Sequence, residues 1–403
     1  MNRRTFLNRT GAAVVGGGVV GGGVVGGGVV GGGVVGDETV RRAARRAARR
    51  DGGEYRNPVS DRYRNPVFER VFPDPGAVRA PDGTYFAYAT YHDWDRDRGG
   101  GGSGRTDERS ERDDEESEPW DGNRPLVPIL RSPDLVDWEF VGPAFEEKPD
   151  WHESVGVWAP DVVRYGGEYL LYYSLSSWGD PNPGIGVASA DSPEGPFEDR
   201  GRLLRSEGVG VPNSIDPCPV VEAGTPYLFW GSHRGIYGVR LGGDGRSLAG
   251  EKFQVAGDGV EAPSLLARDG RYYLFGSRGR CCAGADSDYR VVVGRADDLR
   301  GPYRNRAGED LLDAPGMTIL RGNDRFAGPG HNAVARDDAG DDWLVYHAYE
   351  RADPWVGQTP RRVLMIDRLR WREGWPAVPD GSPSLTAPKP SVTSGDASNR
   401  RET

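Results

Sequence analysis

Four carboxylates and one histidine stand in similar short segments along the chain. They are Asp74 in Phe-Pro-Asp-Pro, Asp161 in Trp-Ala-Pro-Asp, Asp216 in Ser-Ile-Asp-Pro, Glu261 in Val-Glu-Ala-Pro and His331 in Gly-Pro-Gly-His. Some of these residues can instead cap turns, and for Asp161 this structural explanation is as good as a functional one. Burying several acids together costs free energy through like-charge repulsion and desolvation, so a cluster of them indicates a function.

The chemistry open to such a cluster is acid–base cleavage of a glycosidic bond. Two carboxyl groups on either side of the bond give an acid and a base, and a separation of about 6.5–9.5 Å leaves room for a water molecule and gives inversion. A third carboxylate beside the acid holds the pKa of the acid high. Glutamate has the longer reach and suits the acid, and an aspartate on a facing strand suits the base.

A strand rich in aromatic and β-branched residues follows each of the five polar residues. The five strands are Thr84–Thr90, Glu168–Ser174, Pro226–Ser232, Arg271–Ser277 and Asp342–Ala348. Turn signals such as Gly166-Gly167 and Asp269-Gly270 precede these strands, so each unit reads as a β-meander. Five such units predict an all-β fold, a five-bladed β-propeller. Because the first strand of each blade lines the central channel, the five polar residues would converge on one axis.

Composition agrees with an all-β protein and excludes one class of partner. The chain has 403 residues, with 61 Gly and 31 Pro for turns. Its net charge is −10 and its lysines are few, which argues against nucleic acid as a partner and favours a halophilic source. The three cysteines fit no zinc motif, and the adjacent pair Cys281-Cys282 favours free thiols over a strained bridge.

The ends of the chain differ from its middle. Residues 1–36, with Arg3-Arg4 ahead of a Gly/Val-rich segment, predict a twin-arginine signal peptide and a secreted protein, the alternatives being an ordinary signal peptide or a membrane anchor. Residues 37–63 are interpreted as a flexible linker, 96–118 as an acidic and Gly-rich loop, and 380–403 as a disordered tail. We expect the propeller at 64–379, a monomer with no stable membrane partner.

The region from about Asn65 to Pro376 resembles the family 43 glycoside hydrolases, most of all the arabinan endo-1,5-α-L-arabinosidases. The motifs that carry the resemblance are Phe72–Pro75, Trp158–Asp161, Asn213–Asp216, Val260–Pro263, Cys281-Cys282 followed by Gly294-Arg295 and Gly301–Tyr303, Gly328–Asn332 and Trp371–Pro376. Each motif alone is weak, and their order and spacing together are strong.

The resemblance implies a role for individual residues. Asp74 would be the general base, Glu261 the general acid and Asp216 the residue that tunes the acid, with net inversion. His331 would lie near a calcium ion held mostly through water molecules. Residues implied to contact the polysaccharide substrate are Gly179, Asn213, Ser214, Ile215, Ser232, His233 and Arg234.

The sequence departs from the family pattern at two places where the resemblance implies substrate recognition. Pro73 precedes Asp74 where the arabinanases usually have His, and His233-Arg234 replaces an aromatic pair. The alternatives are therefore an exo-acting β-xylosidase or α-L-arabinofuranosidase, a sucrase-type transferase, and a non-catalytic sugar-binding propeller. The vicinal cysteines and the Gly-Pro-Tyr segment favour the endo enzyme, and a non-catalytic propeller would lack one of the three carboxylates.

Overall fold

The computed structural model describes residues 61–92, 126–154 and 156–392, and within them the fold is all-β, which confirms the predicted class. The helical segments of this part are short: α1 (Ser206–Val209) and the 3₁₀ turns Gly284–Asp286 and Pro379–Gly381. None of its helices has the length and apolarity needed to span a membrane. In chain order the strands are β1 (Arg62–Arg64), β2 (Phe68–Val71), β3 (Gly76–Arg79), β4 (Tyr85–Tyr88), β5 (Leu126–Ser132), β6 (Glu139–Phe145), β7 (Gly156–Tyr165), β8 (Glu168–Ser176), β9 (Gly184–Ala190), β10 (Glu198–Arg205), β11 (Cys218–Glu222), β12 (Thr225–Trp230), β13 (Ser232–Arg240), β14 (Phe253–Arg268), β15 (Arg271–Arg278), β16 (Arg290–Ala296), β17 (Met317–Arg321), β18 (Phe326–Arg336), β19 (Asp342–Glu350), β20 (Trp355–Val356), β21 (Thr359–Pro360), β22 (Val363–Arg368), β23 (Arg370–Arg372), β24 (Trp375–Ala377) and β25 (Thr386–Pro388).

The larger sheets are antiparallel and follow the chain order. Two have four strands, β3-β4-β5-β6 and β10-β9-β8-β7, and a third has seven, β11 to β17 in sequence. A fourth, β18-β19-β22-β2, combines C-terminal strands with the N-terminal strand β2. Inside the seven-stranded sheet β14 changes partner at Glu261, which pairs with Ser232 of β13 and with Ser277 of β15.

The five strands predicted from the repeat are all present, as β4, β8, β12, β15 and β19. Strands β4, β8 and β19 are buried along almost their whole length. A strand covered on both faces reads as a continuous apolar and aromatic run rather than an alternating one, which is the pattern that the sequence carries here. The largest fully buried side chains are all Trp or Tyr, so most of the aromatics serve the core.

The ordered chain extends past both predicted boundaries of the catalytic domain. Strand β1 pairs with β25, so residues 61–63 of the predicted linker and 380–392 of the predicted tail belong to the fold. Asn65 explains this attachment, since its buried side chain donates to the carbonyls of Ile366 (2.8 Å) and Ser384 (3.0 Å). The predicted signal peptide (1–36), the rest of the linker, the 96–118 loop and residues 393–403 lie outside the described residues.

The cysteines correct one expectation. Cys281 and Cys282 form a disulfide, so the prediction of free thiols is wrong for this pair and holds for the buried Cys218. Two hydrogen bonds fix the turn that carries the pair: the Tyr349 hydroxyl donates to the Cys281 carbonyl (2.8 Å), and the Ser287 hydroxyl donates to the Arg280 carbonyl (2.6 Å).

Candidate active site

The backbone takes an unusual conformation at each of the five predicted positions or close beside it. Positive φ angles occur at Asp74 (54°), Asp216 (59°) and His331 (47°) themselves, at Ala159 (45°) near Asp161, and at Ala262 (54°) next to Glu261. Non-glycine residues rarely adopt this left-handed region, and those that do concentrate at functional sites. Three of these strands also carry a register shift at this point, a bulge that re-aims the side chains.

Asp74 is held as an anion by a buried guanidinium. Arg362 Nη1 donates to Asp74 Oδ1 (2.7 Å), and the Thr90 hydroxyl donates to Oδ2 (2.8 Å). Burial alone would raise the pKa of Asp74, but the charges of Arg362 and His331 outweigh burial and hold it well below its usual range. These interactions favour the ionised form of Asp74.

His347 contacts the backbone of Asp74 with a neutral imidazole ring. Its Nδ1 accepts a hydrogen bond from the Asp74 backbone N–H (3.0 Å), so that nitrogen carries a lone pair. Burial, reinforced by the charge of Arg362, holds the pKa of His347 well below its usual value. The His347 ring is stacked on Tyr289, with centroids 5.8 Å apart, and Tyr289 in turn hydrogen-bonds the side chain of Glu261.

Glu261 lies where β14 changes partner, and two donors meet its Oε2 atom. The Ser232 hydroxyl donates at 2.8 Å, and His233 Nε2 lies at 2.8 Å. Burial raises the pKa of Glu261, but the hydrogen bond and charge of His233, with the bonds from Tyr289 and Ser232, lower it further than burial raises it. These contacts favour the ionised form of Glu261 and the protonated form of His233.

Asp216 is a buried neighbour of Glu261 with the opposite tendency. Its Oδ2 accepts from the Ala262 backbone N–H (3.2 Å), and its own N–H donates to the Ser174 hydroxyl (3.1 Å). Burial raises the pKa of Asp216 to about 7, with the negative charges of Glu261 and Asp74 adding and His331 opposing. Asp216 therefore binds a proton more readily than an exposed aspartate does.

Asp161 lies in the same region, but its contacts are with backbone groups of its own strand and of β3. Burial raises its pKa to about 7, opposed by the Val162 N–H, which donates to Oδ1 (2.9 Å). Strand β3 crosses directly over it at Gly76, where a Cβ atom would lie 2.9 Å from Asp161 Oδ1 and 2.3 Å from the Pro160 carbonyl oxygen. The approach is possible only for glycine at this position.

His331 stands among the carboxylates. Its Nδ1 lies 3.3 Å from Asp74 Oδ1, and its backbone N–H donates to the Ser277 hydroxyl (2.8 Å). Burial lowers the pKa of His331, but Asp74 and then Asp216 and Glu261 raise it to a net value above the usual one. The fold therefore brings His331 close to Asp74, Asp216 and Glu261.

The side chains near His331 do not form a calcium cage. Calcium takes six to eight oxygen ligands. Among the described residues, no three or more His, Cys, Asp or Glu side chains are grouped so as to hold a metal. The nearer nitrogen of His331 faces the Asp74 carboxylate. The calcium ion stays a prediction, and no chemical step is assigned to it.

The predicted substrate residues divide into two groups. Ser214 is buried, and its hydroxyl donates to the Val211 carbonyl (2.8 Å) and accepts from Trp230 Nε1 (3.0 Å), so it is fully used inside the protein. The Asn213 side chain donates to the Ser232 carbonyl (3.2 Å). Ile215 is also largely buried. His233 and Arg234 form the second group, and both side chains are exposed to solvent.

Gly179 lies in an exposed turn after β8, with φ of 80°. The side chain before it, Trp178, is 70% exposed, which is unusual in a protein that buries most of its Trp and Tyr. The Trp178 ring lies 5.7 Å from that of Trp158, in the Trp-Ala-Pro-Asp segment. An exposed indole beside this segment offers a flat apolar surface for a sugar ring.

Four residues of the site were missed by sequence reasoning. Thr90 is the last residue of its repeat strand, at the position that corresponds to Ser174, Ser232 and Ser277, so the repeat could have found it. His347 lies one residue before the corresponding position, Ala348. Arg362 and Tyr289 lie outside the repeated strands, and no sequence signal marks them.

Comparison with known proteins identifies the family. The family described as glycosyl hydrolases family 43 matches residues 63–376, which contain every residue of the site. The chain belongs to this family. It is therefore a glycoside hydrolase, as the resemblance of its motifs implied.

Named relatives and solved structures agree with this assignment. The hydrolase is 34% identical over 292 residues to the extracellular exo-α-(1→5)-L-arabinofuranosidase of Cellvibrio japonicus, covering 63% of this chain and 80% of that protein. It is 33% identical over 263 residues to the extracellular endo-α-(1→5)-L-arabinanase 1 of Bacillus subtilis, covering 62% and 79%. The structure of the Cellvibrio cellulosa α-L-arabinanase complexed with arabinohexaose matches with a TM-score of 0.63 and 29% identity, covering 77% of this chain and 96% of that one.

Proposed function

We propose that the hydrolase cleaves α-1,5-linked L-arabinan internally, with inversion, using Asp74 as base and Glu261 as acid. The observation that carries the proposal is the contrast between the two carboxylates. Asp74 is held as an anion by Arg362, whereas Oε2 of Glu261 lies 2.8 Å from Nε2 of His233, a group that can supply it with a proton. Inverting hydrolysis requires one ionised carboxylate and a second carboxyl group that is protonated when the bond breaks.

The proposed reaction takes one water molecule for each bond broken. Asp74 accepts a proton from the water while the water oxygen bonds to the anomeric carbon. Glu261 gives its proton to the leaving oxygen as the glycosidic C–O bond breaks. Asp216 stays beside Glu261 and, when ionised, its negative charge raises the pKa of the acid so that the proton is retained until it is needed.

We propose that the site is built on a five-bladed propeller. Three four-stranded sheets would be one blade each, and the seven-stranded sheet would be two blades that share β14. In support, the strands beside the site make contacts in a circular order: β3 with β7, β7 with β11, β11 with β14, β14 with β18, and β18 with β3. Hydrogen bonds follow the same circle, from Ala159 to Thr90, Asp216 to Ser174, Ser232 to Glu261, His331 to Ser277 and Asp74 to His347.

The choice of arabinan rests on the names of two relatives, one an exo-α-(1→5)-L-arabinofuranosidase and the other an endo-α-(1→5)-L-arabinanase. An exo-acting α-L-arabinofuranosidase or β-xylosidase is the second candidate, and a sugar-binding propeller without catalysis is the third. The complete set Asp74, Asp216 and Glu261 supports catalysis over binding alone. Sugar contacts are proposed for Gly179, Asn213, Ile215, His233 and Arg234, with Ser214 and Ser232 acting through the backbone or through Glu261.

Export and partners are part of the proposal. Relatives named extracellular support secretion, and Arg3-Arg4 supports the twin-arginine route. We expect a monomer that works in salt and has no nucleic-acid partner. One calcium ion held through water beside His331 is also proposed, and a thermal melt with EDTA tests it, since an unchanged melting temperature contradicts a bound ion.

The deciding experiment is an assay of the purified protein on linear arabinan, arabinoxylan and nitrophenyl pentosides, at low and high salt. Release of arabino-oligosaccharides of several lengths supports internal cleavage. Release of a single pentose from chain ends contradicts it and favours the exo enzyme. Binding of arabinan without any product identifies a sugar-binding propeller instead.

A further inference from the structure

His233 has a contact that a sugar-binding role does not explain. Its Nε2 lies 2.8 Å from Glu261 Oε2, and its side chain is 51% exposed while that of Glu261 is only 9% exposed. We propose that His233 is a proton-relay residue that carries protons from solvent to the buried acid Glu261. The inference rests on the proposed function, since it assigns the source of the proton that the acid donates.

The backbone is shaped to bring the imidazole to this oxygen. Ser232 and Glu261 are direct partners across β13 and β14, and the pairing shifts register between Ser232 and Arg234. His233 is the residue at this bulge and has φ of 60°, a conformation that is costly outside glycine. Bulges beside active sites re-aim side chains, and this one turns the residue next to Ser232 onto the same carboxylate oxygen.

The charges around the pair place one proton between the two groups. The hydrogen bond to Glu261 raises the pKa of His233 against desolvation, and the charges of Glu261 and Asp216 add while Arg234 opposes. Glu261 faces Tyr289 and Ser232 as donors, with Asp216, His331 and Arg362 as charged neighbours. Both shifts favour the arrangement in which Nε2 of His233 carries the proton and Glu261 is ionised.

Substrate binding moves this proton to the acid. A sugar in the cleft covers the exposed half of His233 and removes its water, and desolvation disfavours both members of an ion pair. The Nε2–H bond breaks as the Oε2–H bond forms, which leaves histidine and glutamic acid both neutral. The acid is thus protonated when substrate is present, although its neighbours keep it ionised in the free enzyme.

The cycle closes with protons balanced. Glu261 passes the proton to the leaving oxygen as the C–O bond breaks, and the attacking water gives one proton to Asp74. After product leaves, neutral His233 takes a proton from solvent and Asp74 releases one. A half-exposed imidazole suits this exchange because its ordinary pKa lies near neutral pH.

The test compares His233→Ala with wild type on substrates that differ in their need for an acid. We expect turnover of arabinan to fall about 100-fold, the lower end of the contribution of positioned proton transfer. The loss on a nitrophenyl glycoside of an arabino-oligosaccharide, whose leaving group needs no proton, should be smaller by about tenfold or more, and this difference between the two substrates is the prediction. Imidazole added to the solution restores part of the arabinan activity, which a merely structural role would not allow. Arg240→Ala, on the exposed part of the same strand, is the matched control.

Equal losses on both substrates, or no rescue by imidazole, overturn the relay. If the wild-type enzyme cleaves a different pentoside and not arabinan, the proposed substrate is wrong. The relay is then tested by the same comparison of leaving groups on that sugar. A direct measurement is independent of activity. The chain has five His, so NMR titration can follow His233, and its pKa should fall in Glu261→Gln. An unchanged pKa would show that the two groups share no proton.

Discussion

Arg362 Nη1 and Asp74 Oδ1 lie 2.7 Å apart, although 288 residues separate them in the chain. Arg362 immediately precedes β22, the strand that β2 joins to complete its sheet, and Asp74 follows β2 by three residues. The pairing of an N-terminal strand with C-terminal strands therefore also assembles the proposed base. The same strand pairing therefore favours the ionised form of Asp74.

Replacing Arg362 with Gln should make the base sensitive to acid. Without the guanidinium, burial dominates and the pKa of Asp74 rises, so the acid limb of kcat/KM moves to higher pH. A depressed carboxyl pKa stabilises the fold above the unfolded pKa and loses this contribution as pH falls, so Arg362→Gln should also flatten the acid-induced loss of stability. The pH profile of kcat/KM on arabinan measures the first effect.

Arg361→Gln is the matched control for this prediction. Arg361 is its buried neighbour but pairs with Glu350 (3.2 Å) and donates to the Glu69 carbonyl, away from Asp74. We expect it to lower stability without moving the acid limb. If the acid limb of kcat/KM lies at the same pH in both variants, Arg362 does not control the pKa of Asp74.

Glu261→Gln should abolish turnover of arabinan and leave binding largely intact. Glutamine keeps the size of the side chain and an oxygen for the Ser232 hydroxyl, but it has no proton to give. We expect a loss of about 10²- to 10⁴-fold in kcat on arabinan, with a much smaller loss on nitrophenyl substrates. Isothermal titration with arabino-oligosaccharides checks binding, and Glu198→Gln on the surface is the control. Undiminished hydrolysis would exclude Glu261 as the acid.

The sequence predicted the elements that repeat and missed the contacts that join them. Asp74 and Glu261 were found because each occupies one position in a recurring unit with its own turn and strand. Arg362 and Tyr289 belong to no such unit, and only tertiary packing brings them to the carboxylates. The Cys281–Cys282 bond was missed for a related reason, since hydrogen bonds from distant side chains fix its turn. The motif predicts that Ser214 contacts the sugar because a motif gives only the residue type. It does not show that the Ser214 hydroxyl accepts a hydrogen bond from Trp230.

Gly76→Ala should destabilise the protein strongly. The new methyl group would lie 2.3 Å from the Pro160 carbonyl oxygen, a backbone atom that cannot move aside, and would press on Asp161. We expect a loss of about 2 kcal/mol or more in the free energy of unfolding, in the range for overpacked sites. Gly142→Ala in β6 of the same sheet is the control, because nothing lies within 4 Å of the position that its new methyl group would take. Urea unfolding of both variants decides, and equal stabilities would contradict the close approach of β3 to β7.

Asp161→Asn should stabilise the enzyme above neutral pH and leave the proposed chemistry in place. The buried carboxyl has its pKa raised to about 7, so the folded protein binds more protons than the unfolded chain between the unfolded pKa and that value. Its contribution to stability is fully present below the unfolded pKa and is lost as pH rises to about 7. Asparagine is neutral at every pH and keeps an oxygen for the Val162 N–H.

We therefore expect the stability gained by Asp161→Asn over wild type to be larger near pH 8 than near pH 5, by on the order of 2 kcal/mol. Urea unfolding of both proteins at the two pH values measures this difference. A gain of the same size at both pH values would mean that packing, not ionisation, controls this position. A loss of arabinan turnover in the variant would give Asp161 a part in catalysis, because its replacement keeps the shape of the side chain and removes only the charge.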